Sequence, residues 1–220
     1  MDLGRSITYL FQDPKWLTKV LVGGLLLFIP IVGWLIVAGY WLRLIRQIAQ
    51  GNELPLPEWN DFGNDLVRGV KVFVVGVVWS LPLIILDAIT SVASGIGSSS
   101  TSLTPFIGLG FGASCLLFLV SLGVTFMQPL FMTRLAVTDS IGSALDFTAV
   151  FNEARRIPTP LLLALVMSWA VGIAALAGLI ACFVGVAFTG FAAYTMLAHV
   201  YGQVRREVEG SSPLAPRPLA

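Results

Sequence analysis

Residues 17–42 read LTKVLVGGLLLFIPIVGWLIVAGYWL, and this apolar stretch decides the class of the protein. It exceeds the length of about 20 residues that a transmembrane helix needs. Three further apolar blocks follow it, at residues 70–90, 106–133 and 161–200. Of all 220 residues, 56% are hydrophobic and 11% are charged, whereas roughly 25% are charged in a soluble domain. The sequence therefore predicts an all-α, polytopic integral membrane protein.

The first apolar block contains Pro30 and is compatible with two structures. It is either one helix kinked at this proline or a short hairpin that turns at residues 30–33. Lys19 lies at its start and Arg43 follows its end. Since Arg and Lys concentrate on the cytoplasmic side of membrane proteins, the flanking charges favour the hairpin. Its limbs, about 13–16 residues each, are short enough to be re-entrant or to thin the bilayer locally.

The remaining charges predict the topology of the other blocks. The connection at residues 91–104, SVASGIGSSSTSLT, has no charge and is the best candidate for an outside loop. The last block is long enough for two spans joined by a turn near residues 182–185. We therefore expect about six membrane segments in the cell inner (plasma) membrane, with both termini in the cytoplasm. Residues 1–209 form one transmembrane domain, and the Pro/Ser-rich tail at 210–220 is predicted to be disordered.

Amphipathic stretches precede the first and the last apolar block, and both are predicted to be interfacial helices. Each is followed by a proline, an apolar block, a tyrosine and a polar end with Gln and Gly. This order indicates an internal repeat. The apolar stripes consist of Leu3, Ile7, Leu10 and Phe11 in the first stretch and of Phe147, Val150, Phe151, Ala154 and Ile157 in the second.

Several short motifs between residues 9 and 203 are similar to those of a known family. They are Asp13-Pro14-x-Trp16, Gly39-Tyr40, Leu56-Pro57-Glu58-Trp59-x-Asp61-Phe62-Gly63, Val67-Arg68-Gly69, Ala144-Leu145-Asp146-Phe147 and His199-x-x-Gly202-Gln203. The chain resembles a widespread prokaryotic membrane family that is catalogued as a domain of unknown function. This resemblance implies a multi-spanning membrane protein with the same arrangement of segments. It implies no activity, because the family has no known one.

Three polar residues within or near the apolar blocks are candidate functional sites, since polar groups inside a membrane are costly. Asp87 lies sixteen residues after Lys71, about 24 Å along a helix, and is expected near the outer surface. Gln128 and His199 are expected near the inner surface, so none of the three lies at mid-bilayer. His199 is also a possible axial ligand of a haem or chlorophyll, or an interfacial histidine hydrogen-bonded to a loop. No resident cofactor is otherwise predicted.

The loop after the first block is rich in carboxylates. Dense carboxylates can bind a divalent cation or act as acid and base. Arg43, Arg46, Arg68 and Lys71 flank the same loop, so a solvated and mutually neutralising set of charges is the preferred interpretation, and no metal site is predicted. The carboxylates are those of Glu53, Glu58, Asp61 and Asp65.

Small residues at four-residue spacing predict close helix packing of the GxxxG kind. One such ridge contains Gly108 and Gly112, and a second contains Ala170, Ala174 and Gly178. Whether their partner is the same chain or another protein is open at this stage.

The sequence has neither a GxSxG nor an HExxH motif, and its net charge of +1 gives no reason to expect nucleic-acid binding. It predicts a non-enzymatic accessory or scaffold subunit that packs with other membrane proteins and lipids. The alternative is a small-solute or lipid transporter built on the repeat. An enzyme that acts on lipid head groups through the loop carboxylates is the third hypothesis.

Overall fold

The computed structural model describes residues 3–52, 54, 56–97, 104–176, 178 and 182–210, and within them every regular element is a helix. The predicted all-α class is confirmed. The predicted tail lies, except for Gly210, outside the described residues. The elements are α1 (Leu3–Thr8), a 3-10 helix (Tyr9–Gln12), α2 (Trp16–Leu26), α3 (Val32–Ala49), α4 (Phe62–Gly97), α5 (Thr104–Thr138), α6 (Ile141–Ala144), α7 (Phe147–Arg156), α8 (Pro158–Ala175) and α9 (Cys182–Gly210).

Three of the described helical segments are long and apolar enough to cross a membrane. They are Phe62–Val92 in α4, Gly112–Thr138 in α5 and Pro158–Ala175, which is α8. Helix α2 is apolar but has only 11 residues, about 16 Å at 1.5 Å per residue, against a hydrocarbon core of about 30 Å. The fold is therefore that of a helical membrane protein in which one apolar helix is too short to span.

The first apolar block is a hairpin, as the flanking charges predicted. Helix α2 ends before Pro30, and α3 begins just after it. Ile31 has a φ of 65°, a conformation that a β-branched residue rarely adopts, and this reverses the chain. A Cβ on Gly33 would lie 1.9 Å from Leu26 O, so only glycine permits so close an approach of the two limbs.

The position predicted for the turn between the last two helices is wrong. Helix α9 begins at Cys182, so the predicted turn at residues 182–185 falls inside its first turn. A Cβ on Gly178 would lie 2.2 Å from Thr189 Oγ1, and that hydroxyl donates to Ala175 O at 2.8 Å. The close contact at Gly178 brings the end of α8 directly against α9, and this contact cannot be read from hydropathy.

The order of elements repeats along the chain. An amphipathic helix precedes the hairpin of α2 and α3, and another precedes the hairpin of α8 and α9. The two hairpins differ in reach, since α8 has 18 residues and α2 has 11. Helix α3 packs against α9 and also contacts α4 and α5, so the second limb of the first hairpin is the central helix of the fold.

The two amphipathic helices bury different parts of their predicted stripes. In α1 and the 3-10 helix, Ser6, Tyr9 and Leu10 are buried, while Ile7 and Phe11 are about half exposed. Leu10 of the apolar stripe therefore faces inward with Ser6 and Tyr9, whereas Ile7 and Phe11 point outward, as expected for contact with lipid. In α7 the stripe does face inward, through the buried Val150, Ala154 and Ile157, and its Phe147 and Phe151 are exposed.

Helices α3 and α4 approach each other backbone to backbone at two glycines. A Cβ on Gly39 would lie 1.7 Å from Asp65 O, and a Cβ on Gly69 would lie 1.8 Å from Leu35 O. Because the paired positions run in opposite directions along the chain, the two helices are antiparallel. Both glycines belong to the motifs quoted above, so close helix packing explains why glycine stands at these two positions.

Replacing Gly69 by alanine should destabilise the protein by about 1–3 kcal/mol, the usual cost of overpacking. The new methyl group would meet the backbone of α3, which cannot move aside as a flexible side chain can. Thermal unfolding of the detergent-solubilised protein measures the effect. Gly76→Ala in the same helix is the matched control, since a Cβ there meets no atom within 4 Å. Equal stability of the two variants would contradict this account of the packing.

Candidate functional site

A buried ion pair joins the start of α2 to the loop between α3 and α4. Lys19 Nζ lies 2.9 Å from Asp13 Oδ2, and both side chains are at most 2% exposed. Lys19 also donates to Leu56 O at 2.6 Å. The carboxylate accepts from the backbone N–H of Leu56 at 2.7 Å and of Lys15 at 2.7 Å. Both charges are thus hydrogen-bonded on several sides, which a buried pair requires.

These contacts set the protonation state of Asp13. Burial raises the pKa of its carboxyl, but the hydrogen bonds from Lys19 and from the backbone of Lys15 and Leu56 together outweigh burial and hold the pKa below its usual value. The side chain therefore stays charged at neutral pH and retains its partner.

Trp59 lies at the centre of the same loop and contacts both limbs of the first hairpin. Its indole donates to Lys19 O at 3.1 Å and stacks on the Tyr40 ring with centroids 4.1 Å apart. Tyr40 in turn donates to Pro57 O at 3.0 Å, and Phe191 of α9 packs against both rings. The loop that carries this motif thus fills the space between α2, α3 and α9.

The loop carboxylates are paired with cations. Asp65, fully buried, lies 2.8 Å from Arg43 and 3.0 Å from Arg68. Asp61 lies 3.3 Å from Arg68, and Glu58 lies 3.5 Å from Lys19. The fourth predicted carboxylate, at position 53, lies outside the described residues. The described loop carboxylates are thus neutralised by cations as expected, but the set is not solvated throughout, since Asp65 is buried.

Further ion pairs continue this arrangement across the other helices. Arg134 lies 2.7 Å from Glu153, and Arg205 lies 3.5 Å from the same carboxylate. Lys71 lies 2.9 Å from Asp139. Together with the pairs around the first hairpin they form the polar layer, which consists of Asp13, Lys19, Arg43, Glu58, Asp61, Asp65, Arg68, Lys71, Arg134, Asp139, Glu153 and Arg205.

His199 lies in a separate buried cluster between α1 and α9. Its Nδ1 is 2.9 Å from Ser6 Oγ and 2.9 Å from Gln203 Nε2, and its ring stacks on Tyr9 at 4.4 Å. His199 and Ser6 have no exposed surface. The interaction resembles the predicted hydrogen-bonded histidine, with an N-terminal helix in place of a loop. Ligation of a haem or chlorophyll stays a prediction.

Sequence reasoning missed Ser6 and Tyr9 as partners of this histidine. Tyr9 also donates to Thr195 O at 2.8 Å, so it ties the N-terminal segment to α9 twice. The spacing of His199 and Gln203, one helical turn apart, indicates that they share a face. Nothing in the sequence indicates that a helix almost two hundred residues earlier packs on that face.

The structure does not bring the candidate polar residues together. Asp87 is exposed on α4, nineteen residues after Arg68 and so about 28 Å from the polar layer along the helix. Gln128 is partly buried beside Pro129 in α5, and His199 is enclosed by α1. The three are separate positions rather than parts of one site.

The small-residue ridges contribute little to packing within the described chain. A Cβ on Gly112 would meet no atom within 4 Å, and Ala170 and Ala174 are exposed. Gly178 is the member that contacts another helix of this chain, whereas the surroundings of Gly108 lie outside the described residues. Close contacts outside the predicted ridges occur at Gly39 and Gly69, at Gly202 against Ile48, and at two glycines of α2, where Cβ atoms would overlap phenylalanine rings of α9 (Gly23, Gly24).

Two apolar cavities lie on either side of α3 near the tip of the first hairpin. One has a volume of about 510 Å³ and lies towards α4, where Val72 and Phe73 line it. The other has a volume of about 480 Å³ and lies towards α9, where Gly190 and Phe191 line it. Trp34 borders both cavities.

The fold and the polar layer define a helical membrane protein whose buried charges join its helices. The chain belongs to the family described as "Protein of unknown function (DUF4013)", whose model matches residues 22–198. This confirms the resemblance to a family of unknown function. No curated protein and no solved structure shows significant similarity to the chain.

Replacing Lys19 by methionine should destabilise the protein by about 3–5 kcal/mol, because it leaves the Asp13 carboxylate buried without a charge partner. Lys15→Met is the matched control, since Lys15 is largely exposed. The double variant Asp13→Asn, Lys19→Met should recover much of the loss, as it removes both charges. Thermal unfolding midpoints of the four proteins in one detergent test this. A Lys19→Met protein as stable as Lys15→Met would refute the role of the pair.

Proposed function

We propose that the protein is a non-catalytic scaffold, an accessory subunit that packs beside other membrane proteins and lipids in the inner membrane of a prokaryotic cell. One observation carries the proposal. The polar layer uses partly or fully buried charges to join helices of this chain to one another, while the long helices turn large apolar side chains outward. The buried charges thus stabilise the fold, and the apolar outer surface suits contact with lipids or with other membrane proteins.

The outward apolar surface is most extensive on α4 and α8. On α8, Val166, Trp169 and Ile173 are each more than half exposed, and Ala170 and Ala174 lie exposed between them. Small residues between large ones allow a second helix to approach closely. We therefore expect this face of α8 to receive a helix of a partner protein.

The proposed topology has six membrane segments, α2, α3, α4, α5, α8 and α9, with the polar layer on the cytoplasmic side. The cations of this layer support that orientation, since Arg and Lys concentrate there. Helices α2 and α3 enter and leave from the same side, whether or not their hairpin reaches the far surface. The number of crossings therefore stays even, and both termini are cytoplasmic.

A lipid transporter built on the repeat is the second candidate, favoured by the two apolar cavities beside the first hairpin. The sequence-predicted polar residues Asp87 and Gln128 do not line either cavity. A transport path would therefore have to use apolar surface alone. This makes the scaffold the better-supported proposal.

Reporter domains fused to the two termini should both read as cytoplasmic, because an even number of segments returns the chain to its starting side. A third fusion inserted within residues 98–103, the connection between α4 and α5, should read as external. Fluorescent and periplasmic-enzyme reporters distinguish the two sides. Termini on opposite sides of the membrane would contradict the six-segment topology.

Extraction in a mild detergent should release the protein in a complex that contains at least one other membrane protein in fixed stoichiometry. Ala170→Leu should dissociate that complex, because the larger side chain would keep a partner helix away from α8. Size-exclusion chromatography with light scattering and mass spectrometry measure both results.

Ala88→Leu is the control for this experiment, since Ala88 is exposed on α4 and the substitution adds the same volume. The fold should survive both changes because neither position is buried. A monodisperse single chain in the wild type, or equal loss of the complex in the two variants, would contradict the scaffold proposal or its assignment to α8.

A further inference from the structure

A small cavity opens between α3, α4 and α5 within the polar layer. Its volume is about 100 Å³, room for a small oxyanion and not for a large ligand. Three of its lining side chains are arginines. The lining residues are Leu42, Arg43, Arg46, Arg68, Ala136 and Asp139.

The charges around this cavity leave an excess of positive charge. Asp139 is paired with Lys71 at 2.9 Å. Arg43 and Arg68 share the buried Asp65, and Arg68 also meets Asp61 at 3.3 Å. Arg46, which is exposed, is not a member of these pairs. Among the described residues, four cations thus face three carboxylates, and Arg46 supplies the surplus.

A second observation indicates that an acceptor belongs here. The Nε of Arg43 is buried and has no hydrogen-bond partner among the described residues. A buried guanidinium donor without an acceptor is rare in proteins, because it forfeits its interaction with water. The unpartnered donor on a lining arginine and the surplus of positive charge together suit an anion with several oxygens.

We propose that this cavity binds the phosphate group of an anionic phospholipid. Guanidinium groups present donors in a planar fork that matches two phosphate oxygens, and basic pockets between membrane helices on the cytoplasmic side bind lipid head groups. The site adds a lipid specificity that the scaffold proposal does not contain, and it does not depend on that proposal.

The helices that line the cavity also favour a lipid over free phosphate. Helices α3 and α4 line the apolar cavity of about 510 Å³ as well, through Ala38 and Gly69 among others. Ala38 lies one helical turn from Leu42, about 6 Å deeper along α3. A head group at the arginines would therefore have apolar space for an acyl chain within reach, along the same pair of helices.

The test measures lipid binding by native mass spectrometry of the purified full-length protein, with phosphatidylglycerol and with diacylglycerol of the same acyl chains. Arg46→Gln should weaken phosphatidylglycerol binding about tenfold, the size expected for loss of one charge-assisted interaction. It should leave diacylglycerol binding unchanged, since that lipid has no phosphate. Arg156→Gln is the matched control, because Arg156 is an exposed arginine at the end of α7.

Three outcomes would overturn the proposal. One is unchanged phosphatidylglycerol binding in Arg46→Gln, and another is an equal loss in Arg156→Gln, which would indicate attraction to surface charge alone. In a parallel arm, millimolar inorganic phosphate is added and the thermal unfolding midpoint is recorded. If phosphate raises the midpoint through Arg46 while lipid binding does not depend on Arg46, the occupant is free phosphate and the lipid assignment is wrong. Dependence of lipid binding on Arg46 alone supports the proposal.

Discussion

The buried pair of Asp13 and Lys19 is the interaction on which the rest of the structure depends. Isolated charges of this kind would cost several kcal/mol each to bury, so the carboxylate and the ammonium must meet and must saturate their remaining hydrogen bonds. They do so on the backbone of Leu56. The requirement therefore places the loop after α3 against the first turn of α2, where Trp59 closes the gap between the two limbs of the hairpin.

The position of this loop determines how α3 and α4 meet. Because α4 begins directly after the loop, its first turns lie beside α3, and Asp65 reaches Arg43 and Arg68 without exposure to solvent. The glycines at positions 39 and 69 let the two backbones touch. The long helices then extend from a rigid polar base, with apolar surfaces turned outward. Helices with charged residues at one end and apolar surface along their length are typical of a protein that is embedded in a bilayer.

The loop carboxylates and His199, which the sequence offers as candidate site residues, make contacts that stabilise the fold. The loop carboxylates were predictable as a neutralised set, because cations flank them at short separations in the chain. His199 was recognisable as polar and near the end of its helix, but its partners Ser6 and Tyr9 were not, since they come from the opposite end of the chain. The small-residue ridges were visible in the sequence, but spacing alone cannot distinguish glycines that touch a neighbour from small residues that face outward.

The sequence alone indicates the membrane class and the family, and its charges favour the hairpin in the first block. Hydropathy and the placement of charge depend on residues that are close in the chain, so they can be read without knowledge of the fold. The tertiary structure alone shows which glycines touch a neighbouring helix, Gly39 and Gly69 among them, and that Arg43, Arg46 and Arg68 surround one cavity. These facts depend on which segments meet in the fold, where pairs such as Arg43–Asp65 and Arg134–Glu153 join different helices.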